Sequence, residues 1–386
     1  MHTTGTRSGS RLFAALSLVL TLCSVQAFCC TTAIVSAEAS GTGRPMIWKQ
    51  RDASNPYNCI AHIKGERYAY TALFPTSDKA RRNAYAGINE AGFAISNNLS
   101  YNIRPESSGT ATRNGEFMSQ ALGCCRTLDD FVALIDNRPR PMELSSNFAV
   151  IDACGGAAYF EVSDSAYVRY DVPEGGYLFR TNFSLSGEEG RGRGFARYAS
   201  MEEIMSGPKA FRPEFFLEAG RSFVNVLDGG DALRGRRDGY IYQHDFIPRM
   251  STTCSIVIEG VAEGERADSG MMWVAPGFTP CSYAVPVWVA AGDEIAGILI
   301  GDAPANLSAV DLSSALRTID WDARYLEVKP LKRIMKEVRK AEKEELREGR
   351  RLDRSLRASG MDVAAVKEYN EAACRRFDGF KTVVKL

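Results

Sequence analysis

The chain has 386 residues, 45% hydrophobic and 24% charged, the make-up of a globular protein with a core of its own. Its 47 basic residues balance 47 acidic ones, and residues 1–29 hold Arg7 and Arg11 but no acid, so the remainder stands at −2. Such a balance gives no pull toward nucleic acid or an anionic membrane, and a polyanion-binding role is set aside.

The N-terminus reads as an export signal. Arg7 and Arg11 precede an apolar run over 12–22, and Val25-Gln26-Ala27 offers small residues at signal-peptidase spacing. The run is short for a membrane span. Residues 1–29 are therefore expected to leave as signal and short pro-segment. What remains is expected to be secreted or periplasmic, with no membrane span.

Residues 30–327 form the expected main domain. Short β-rich runs at 31–36, 46–49, 68–74, 93–96, 148–152, 157–162, 166–170 and 255–259 are bounded by Gly, Pro, Asn or Asp. Helical stretches fall at 115–123, 128–137, 194–205 and 212–225. The apolar segment 283–291, broken by Pro286, reads as a buried strand. Antiparallel hairpins interspersed with helix pairs predict a layered α+β arrangement, not a doubly wound parallel sheet. The run Gly190-Arg191-Gly192-Arg193-Gly194 reads as a loop, because no suitable strand precedes it.

Residues 328–386 differ in composition. Segment 331–358 is dense in Lys, Arg and Glu, with Glu337/Lys340 and Glu344/Arg347 at helical spacing. Ser359-Gly360 supplies a C-cap, and Asp362 opens a second helix toward Phe377. We read a charged helical tail packed on one side, in preference to a partner-binding arm.

Ten cysteines are present, with no Cys-x-x-Cys pair, and His2, His62 and His244 do not cluster, so a zinc site is not expected. With residues 1–29 removed and Cys30 set aside, Cys59, Cys124, Cys125, Cys154, Cys254, Cys281 and Cys374 remain, an odd number. At least one of them stays unpaired within the chain.

The informative segment starts at Cys30. Two β-prone runs, 31–36 and 46–52, flank a stretch with Ser40, Gly41, Gly43 and Pro45, which is turn chemistry. Counted outward as a hairpin with Ser36 opposite Met46, the pairing places Cys30 opposite Asp52, with Arg51 beside it. A neutral thiol is a weak nucleophile at neutral pH and needs a group to take its proton. A cysteine at the first position of a processed chain has one in its own α-amine, with a pKa of about 8. An opposed carboxylate can hold that amine, and an arginine can hold the carboxylate or a substrate anion.

Cys30-Thr31-Thr32, the turn and Arg51-Asp52 resemble the opening of the isopenicillin-N acyltransferase and choloylglycine hydrolase group, which includes linear amide C–N hydrolases of the carcinine hydrolase kind. Gly87-Ile88-Asn89-Glu90-Ala91-Gly92-Phe93-Ala94-Ile95 resembles the group's Asn-Glu-x-Gly segment, leading to Asn97 or Asn98. Thr181-Asn182-Phe183 resembles its second asparagine motif, and 251–259 and 280–289 its late strands. The resemblance implies an αββα N-terminal-nucleophile sandwich. It also implies Cys30 as nucleophile, Asp52 orienting its amine, Arg51 as a supporting charge, and Asn97 and Asn182 as oxyanion donors. Asn98 competes with Asn97, and Cys29 with Cys30. The late arginine of the group has no fixing motif here, although Arg249 is suitably placed.

Cleavage after Ala27 leaves Phe28-Cys29 ahead of Cys30. Self-cleavage, or signal cleavage after Cys29, would free the amine. The implied activity is cleavage of a linear amide in a small molecule through a thioester, with water or an amine as acceptor and no metal or organic cofactor. A dipeptidase-type relative and a non-enzymatic surface protein are the competing readings. Association into a homo-oligomer stays open.

Overall fold

A computed structural model describes residues 30–104, 112–243, 245–317 and 325–385, so the expected export signal and Cys29 lie outside the described residues. The first hairpin pairs β1 (Thr31–Val35) with β2 (Met46–Asp52), and every residue of both strands is buried. Its register corrects the sequence-based one by one residue. Val35, not Ser36, stands opposite Met46, and Thr31 stands opposite Gln50. Continuing the ladder puts Cys30 level with Arg51, not with Asp52. Beyond Val35 the turn begins: Ser36 Oγ accepts from the Ala39 amide (3.3 Å), while its backbone N–H donates to the Gly176 carbonyl (3.1 Å), continuing the pairing with the segment before Tyr177 and not with the second strand.

The chain continues through β3 (Asn58–Lys64), β4 (Ala69–Pro75), β5 (Ala86–Asn89), β6 (Ala94–Leu99), α1 (Asn114–Cys124), α2 (Leu128–Asp136), β7 (Ser146–Ile151), β8 (Ala157–Val162) and β9 (Tyr167–Asp171). After β10 (Tyr177–Arg180) come α3 (Phe195–Ser206), α4 (Pro213–Ala219) and the short strands β11 (Val224–Asn225), β12 (Gly230–Asp231) and β13 (Tyr240–Tyr242). The rest comprises β14 (Thr252–Glu259), β15 (Met271–Pro276), β16 (Val285–Trp288), α5 (Pro304–Ala315), β17 (Tyr325–Glu327), α6 (Val328–Ser359) and α7 (Val363–Val383). The helix expected over 212–225 is shorter. Pro213 starts it, the Gly220 amide closes it on the Phe216 carbonyl, and a Gly220–Arg221 turn leads toward β11. The strand β3 was not foreseen.

Two large antiparallel sheets result, ordered β10-β1-β2-β14-β15-β16 and β3-β4-β5-β6-β7-β8-β9, beside two two-stranded ones, β11-β12 and β13-β17. Their inner faces meet where β1 and β2 lie against β6 and β7. Helices α1 and α2 cover the seven-stranded sheet with Phe117, Met118, Leu122, Phe131 and Ile135 packed among Phe93, Ile95, Phe148 and Phe160. The Phe131 and Phe160 rings meet edge to face at 5.0 Å, and truncating such a ring costs about 3–5 kcal/mol. The other helices cover the six-stranded sheet, with Phe216 of α4 stacked on Trp48 of β2. This is the expected αββα sandwich.

The charged C-terminal helix lies along that outer layer. Leu331, Ile334, Met335, Val338 and Leu346 of α6 are buried in the same core as the six-stranded sheet, and the opposite stripe carries the charge. Its polar anchors are buried too. Glu342 takes both arms of Arg221 (2.6 and 2.7 Å), and Glu345 takes Arg376 and the Tyr369 hydroxyl of α7. Gly360 ends α6 at φ 90, and the Asp362 carboxylate caps α7 by accepting from the Ala365 amide. Among the described residues, no helix is long and apolar enough to cross a membrane.

Candidate active site

Strand alternation decides which side chains of the hairpin meet. Thr32 points between the sheets, donating to Asn98 Oδ1 (2.9 Å) and accepting from the Tyr159 hydroxyl (2.8 Å). Cys30, two residues earlier, emerges at the end of the strand. With Lys49, Arg51, Asp52, Tyr85, Asn97 and Asn114 it lines a cavity of about 300 Å³. Cys30 as a residue is 7% exposed, and its Sγ donates to the Asp52 backbone carbonyl at 3.8 Å.

The structure therefore brings Asp52 beside Cys30 despite the changed register, because it sits one residue beyond the level of the sulfur on the neighbouring strand. Its carboxylate accepts from Thr252 Oγ1 (2.7 Å) and pairs with Arg249 Nε (3.1 Å). Burial pushes Asp52 above the usual carboxylate range, opposed by the Arg249 and Arg197 guanidinium groups. Arg51 donates from Nη1 to Asn58 Oδ1 (2.8 Å) and Thr253 Oγ1 (2.7 Å), and lies over the Tyr85 ring at 3.9 Å.

The asparagines divide. Asn97 faces the cavity, but its Nδ2 is engaged by Ser146 Oγ (2.9 Å) and its Oδ1 by Lys49 (2.8 Å). Asn98 is held by Thr32 and the Thr181 carbonyl and does not line the cavity. Asn182, also outside the cavity wall, donates from Nδ2 to the Leu99 carbonyl (2.7 Å). Both Asn98 and Asn182 also match a glycosylation sequence, and both are fully buried, so neither is open to a glycan.

Three further residues complete the surroundings. Lys49 is fully enclosed and donates to the Tyr85 carbonyl (2.8 Å) and to both oxygens of Asn97 (2.6 and 2.8 Å). Three acceptors match the three hydrogens of an ammonium. Burial nevertheless lowers it to about 8, with the Cys30 sulfur opposing that pull. Arg197 reaches from α3 to the Cys30 carbonyl (2.7 Å), Thr31 Oγ1 (2.6 Å) and Asn182 Oδ1 (2.9 Å). Arg249 holds Asp52. Lys49 had a usable sequence signal, since it stands two residues before Arg51 on a strand and so shares its face. Arg249 was suitably placed for the group's late arginine but had no motif to fix it, and Arg197 carried no signal. The described cysteines, Cys30 among them, are all unpaired.

Residues 56–196 match the family model described as acyl-coenzyme A:6-aminopenicillanic acid acyl-transferase. The matched stretch holds the Asn-Glu-x-Gly segment, Asn97 and Asn182, and begins after Cys30 and Asp52. Over this stretch the motif resemblance and the family match agree. No curated protein matches the chain. Among solved structures, it is similar to a Caenorhabditis elegans ortholog of N-acylethanolamine-hydrolyzing acid amidase at 12% identity, covering 59% of this chain and 91% of that one, with a TM-score of 0.40. Penicillin V acylase from Agrobacterium tumefaciens has 12% identity, coverage of 67% and 86%, and a TM-score of 0.39. A mutant of conjugated bile acid hydrolase from Clostridium perfringens has 11% identity, coverage of 68% and 92%, and a TM-score of 0.38.

Proposed function

We propose that the chain is an exported amide hydrolase of the N-terminal-nucleophile kind, active once Cys30 has become its first residue. The observation that carries the reading is the position of Cys30. It stands at the end of an inner strand, in the wall of a polar cavity, with Asp52, Lys49 and Arg197 gathered around it. The family match over residues 56–196 supports an enzyme acting on amide bonds.

In this reading the α-amine of Cys30 takes the thiol proton, and the sulfur attacks the amide carbonyl. Asp52, itself held by Arg249 and Thr252, orients the amine. Asn182 has a second Nδ2 hydrogen beyond the one given to Leu99, and with Asn97 it supplies donors for the tetrahedral oxyanion. The ammonium returns its proton to the leaving amine, and a thioester remains. Water attacks the thioester, its proton goes to the α-amine and then to sulfur, and the acid leaves. An amine in place of water would make the same site an acyltransferase.

The test is intact-mass and N-terminal analysis of exported, active protein after treatment with a thiol-reactive amide analogue. The expected result is a chain beginning at Cys30 that carries one adduct, absent in Cys30→Ala. Active protein with any residue still peptide-linked ahead of Cys30 would rule the mechanism out.

A further inference from the structure

The charge balance of the whole chain hides a local separation. Of the α6 side chains open to solvent, nine are Lys or Arg and one, Glu344, is acidic. From Lys329 to Arg354 eight of these cations follow one another at steps of three or four residues, so they share one side of the helix. At a rise of about 1.5 Å per residue the row is about 38 Å long, with about one charge per turn.

Little on the protein answers that row. Arg347 and Arg351 share the Glu348 carboxylate, and Arg333 reaches the Lys385 carbonyl (3.2 Å). Among the described residues Lys329, Lys336, Lys340, Lys343 and Arg354 form no ion pair, although Glu337 stands one turn before Lys340. Folding does not call for this arrangement. The opposite face of α6 is already fastened by Leu331, Ile334 and Val338 and by the pairing of Glu342 with Arg221. Like charges one turn apart repel, so the row opposes the helix that carries it, and a solvated face alternating Lys with Glu would serve the fold better. A partner that supplies the negative charge accounts for the row.

The kind of partner follows from what accompanies the charge. Helix α6 contains no Phe, Tyr or Trp, so it offers no platform for stacked bases. Its large apolar residues are turned into the core, so it has nothing to sink into a lipid surface. A long, narrow row of single charges fits a polymer chain that carries an anionic group on each repeat.

We infer that the exposed row of α6 is a binding surface for a linear polyanion, a flexible polymer bearing a phosphate or sulfate on each repeat. The inference goes beyond the amide-hydrolase reading and stands apart from it, since none of the residues lining the Cys30 cavity lies on α6. The role that whole-chain composition set aside returns on one helix face.

Long-chain inorganic polyphosphate and heparin are the probes, with tripolyphosphate as the short control and phosphatidylglycerol–phosphatidylcholine vesicles as the membrane control. At least one polymer is expected to bind the full chain, and which one names the phosphate or the sulfate source. Its affinity should fall by about 20-fold between about 50 and 200 mM salt, the loss expected when three charges on a single strand are neutralised. Replacing Lys336, Lys340 and Lys343 together by Glu should abolish binding, and replacing them by Gln should weaken it to an intermediate level. The same three reversals at Lys64, Lys79 and Arg126, exposed on the elements of the other large sheet, change net charge equally and should leave affinity within a few-fold. A thermal melt of each variant gives the folded fraction to which affinity is referred. Failure of both polymers to bind, binding of vesicles alone, tripolyphosphate bound as tightly as the polymer, or equal loss in the two reversed triples would each overturn the inference.

Discussion

The Arg197 guanidinium donates to Asn182 Oδ1 at 2.9 Å while its other arm donates to the Cys30 carbonyl at 2.7 Å. One side chain thus ties the strand that carries the thiol to the asparagine across from it. An amide oxygen taken by an arginine leaves its NH2 end facing the other way, toward Leu99. In the proposed reaction Arg197 is therefore a positioning residue.

Replacing it should show as a kinetic split. Arg197→Gln is expected to lower kcat by about 100-fold, the size expected when one oxyanion donor is lost, with KM within a few-fold of the parent. Steady-state kinetics beside a thermal melt checks this. A fall in activity that only follows the folded fraction would leave Arg197 structural.

Gly194 tests the same contact from the backbone. It lies at φ 84, and an added Cβ would sit 2.2 Å from Arg197 Nη2, whose position three hydrogen bonds fix. Gly194→Ala is expected to destabilise the protein by about 1–3 kcal/mol and to lower kcat in the same direction as Arg197→Gln. Denaturant unfolding and kinetics on one preparation read both effects.

Lys49 predicts a pH dependence. Its folded value of about 8 lies below its ordinary 10.5. A depressed folded value gives a contribution to stability that is present above the unfolded value and lost as pH falls through the folded one. Relative to Lys49→Met, the parent should lose stability between pH 10.5 and about 8 and stay level below, the total being about 3 kcal/mol at most. Melting both proteins across that range measures it. A difference independent of pH would show an unperturbed ammonium.

How much of this was legible in the residues follows from the range of the interactions. The first hairpin, the turn glycines, the caps at Gly360 and Asp362 and the α1–α2 pair depend on neighbours in the chain, and local patterns carried them. The register of β1 and β2 was missed by one residue, because Ser36 already belongs to the turn, where its Oγ holds the Ala39 amide, and pattern counting cannot see where a long turn begins. Asn97 and Asn98 could not be separated for a similar reason. Which of two adjacent residues faces the cavity depends on the pairing of β6 with β7. Arg249 could be named as suitably placed but not assigned, and Arg197 was out of reach, since the partners of both are fixed only when both sheets are assembled.

The anchor of α6 gives a last prediction. Arg221 is wholly enclosed and gives both arms to Glu342, with its remaining donors on the Thr279 and Ser282 carbonyls. Arg221→Met leaves the Glu342 carboxylate buried without its partner and should cost about 3–5 kcal/mol. The double change Arg221→Met with Glu342→Leu should recover most of it. Chemical denaturation of the three variants shows whether the coupling exists.

That anchor also sets the order in which a newly made chain can mature. The sheet bearing Cys30 buries its outer face under residues made more than three hundred positions later, Leu331, Ile334 and Val338 among them. During synthesis the strand that follows Cys30 must wait, greasy side uncovered, until the far end of the polypeptide arrives. In the proposed reading, self-cleavage ahead of Cys30 would find its finished site only after the last helices have closed over the sheet.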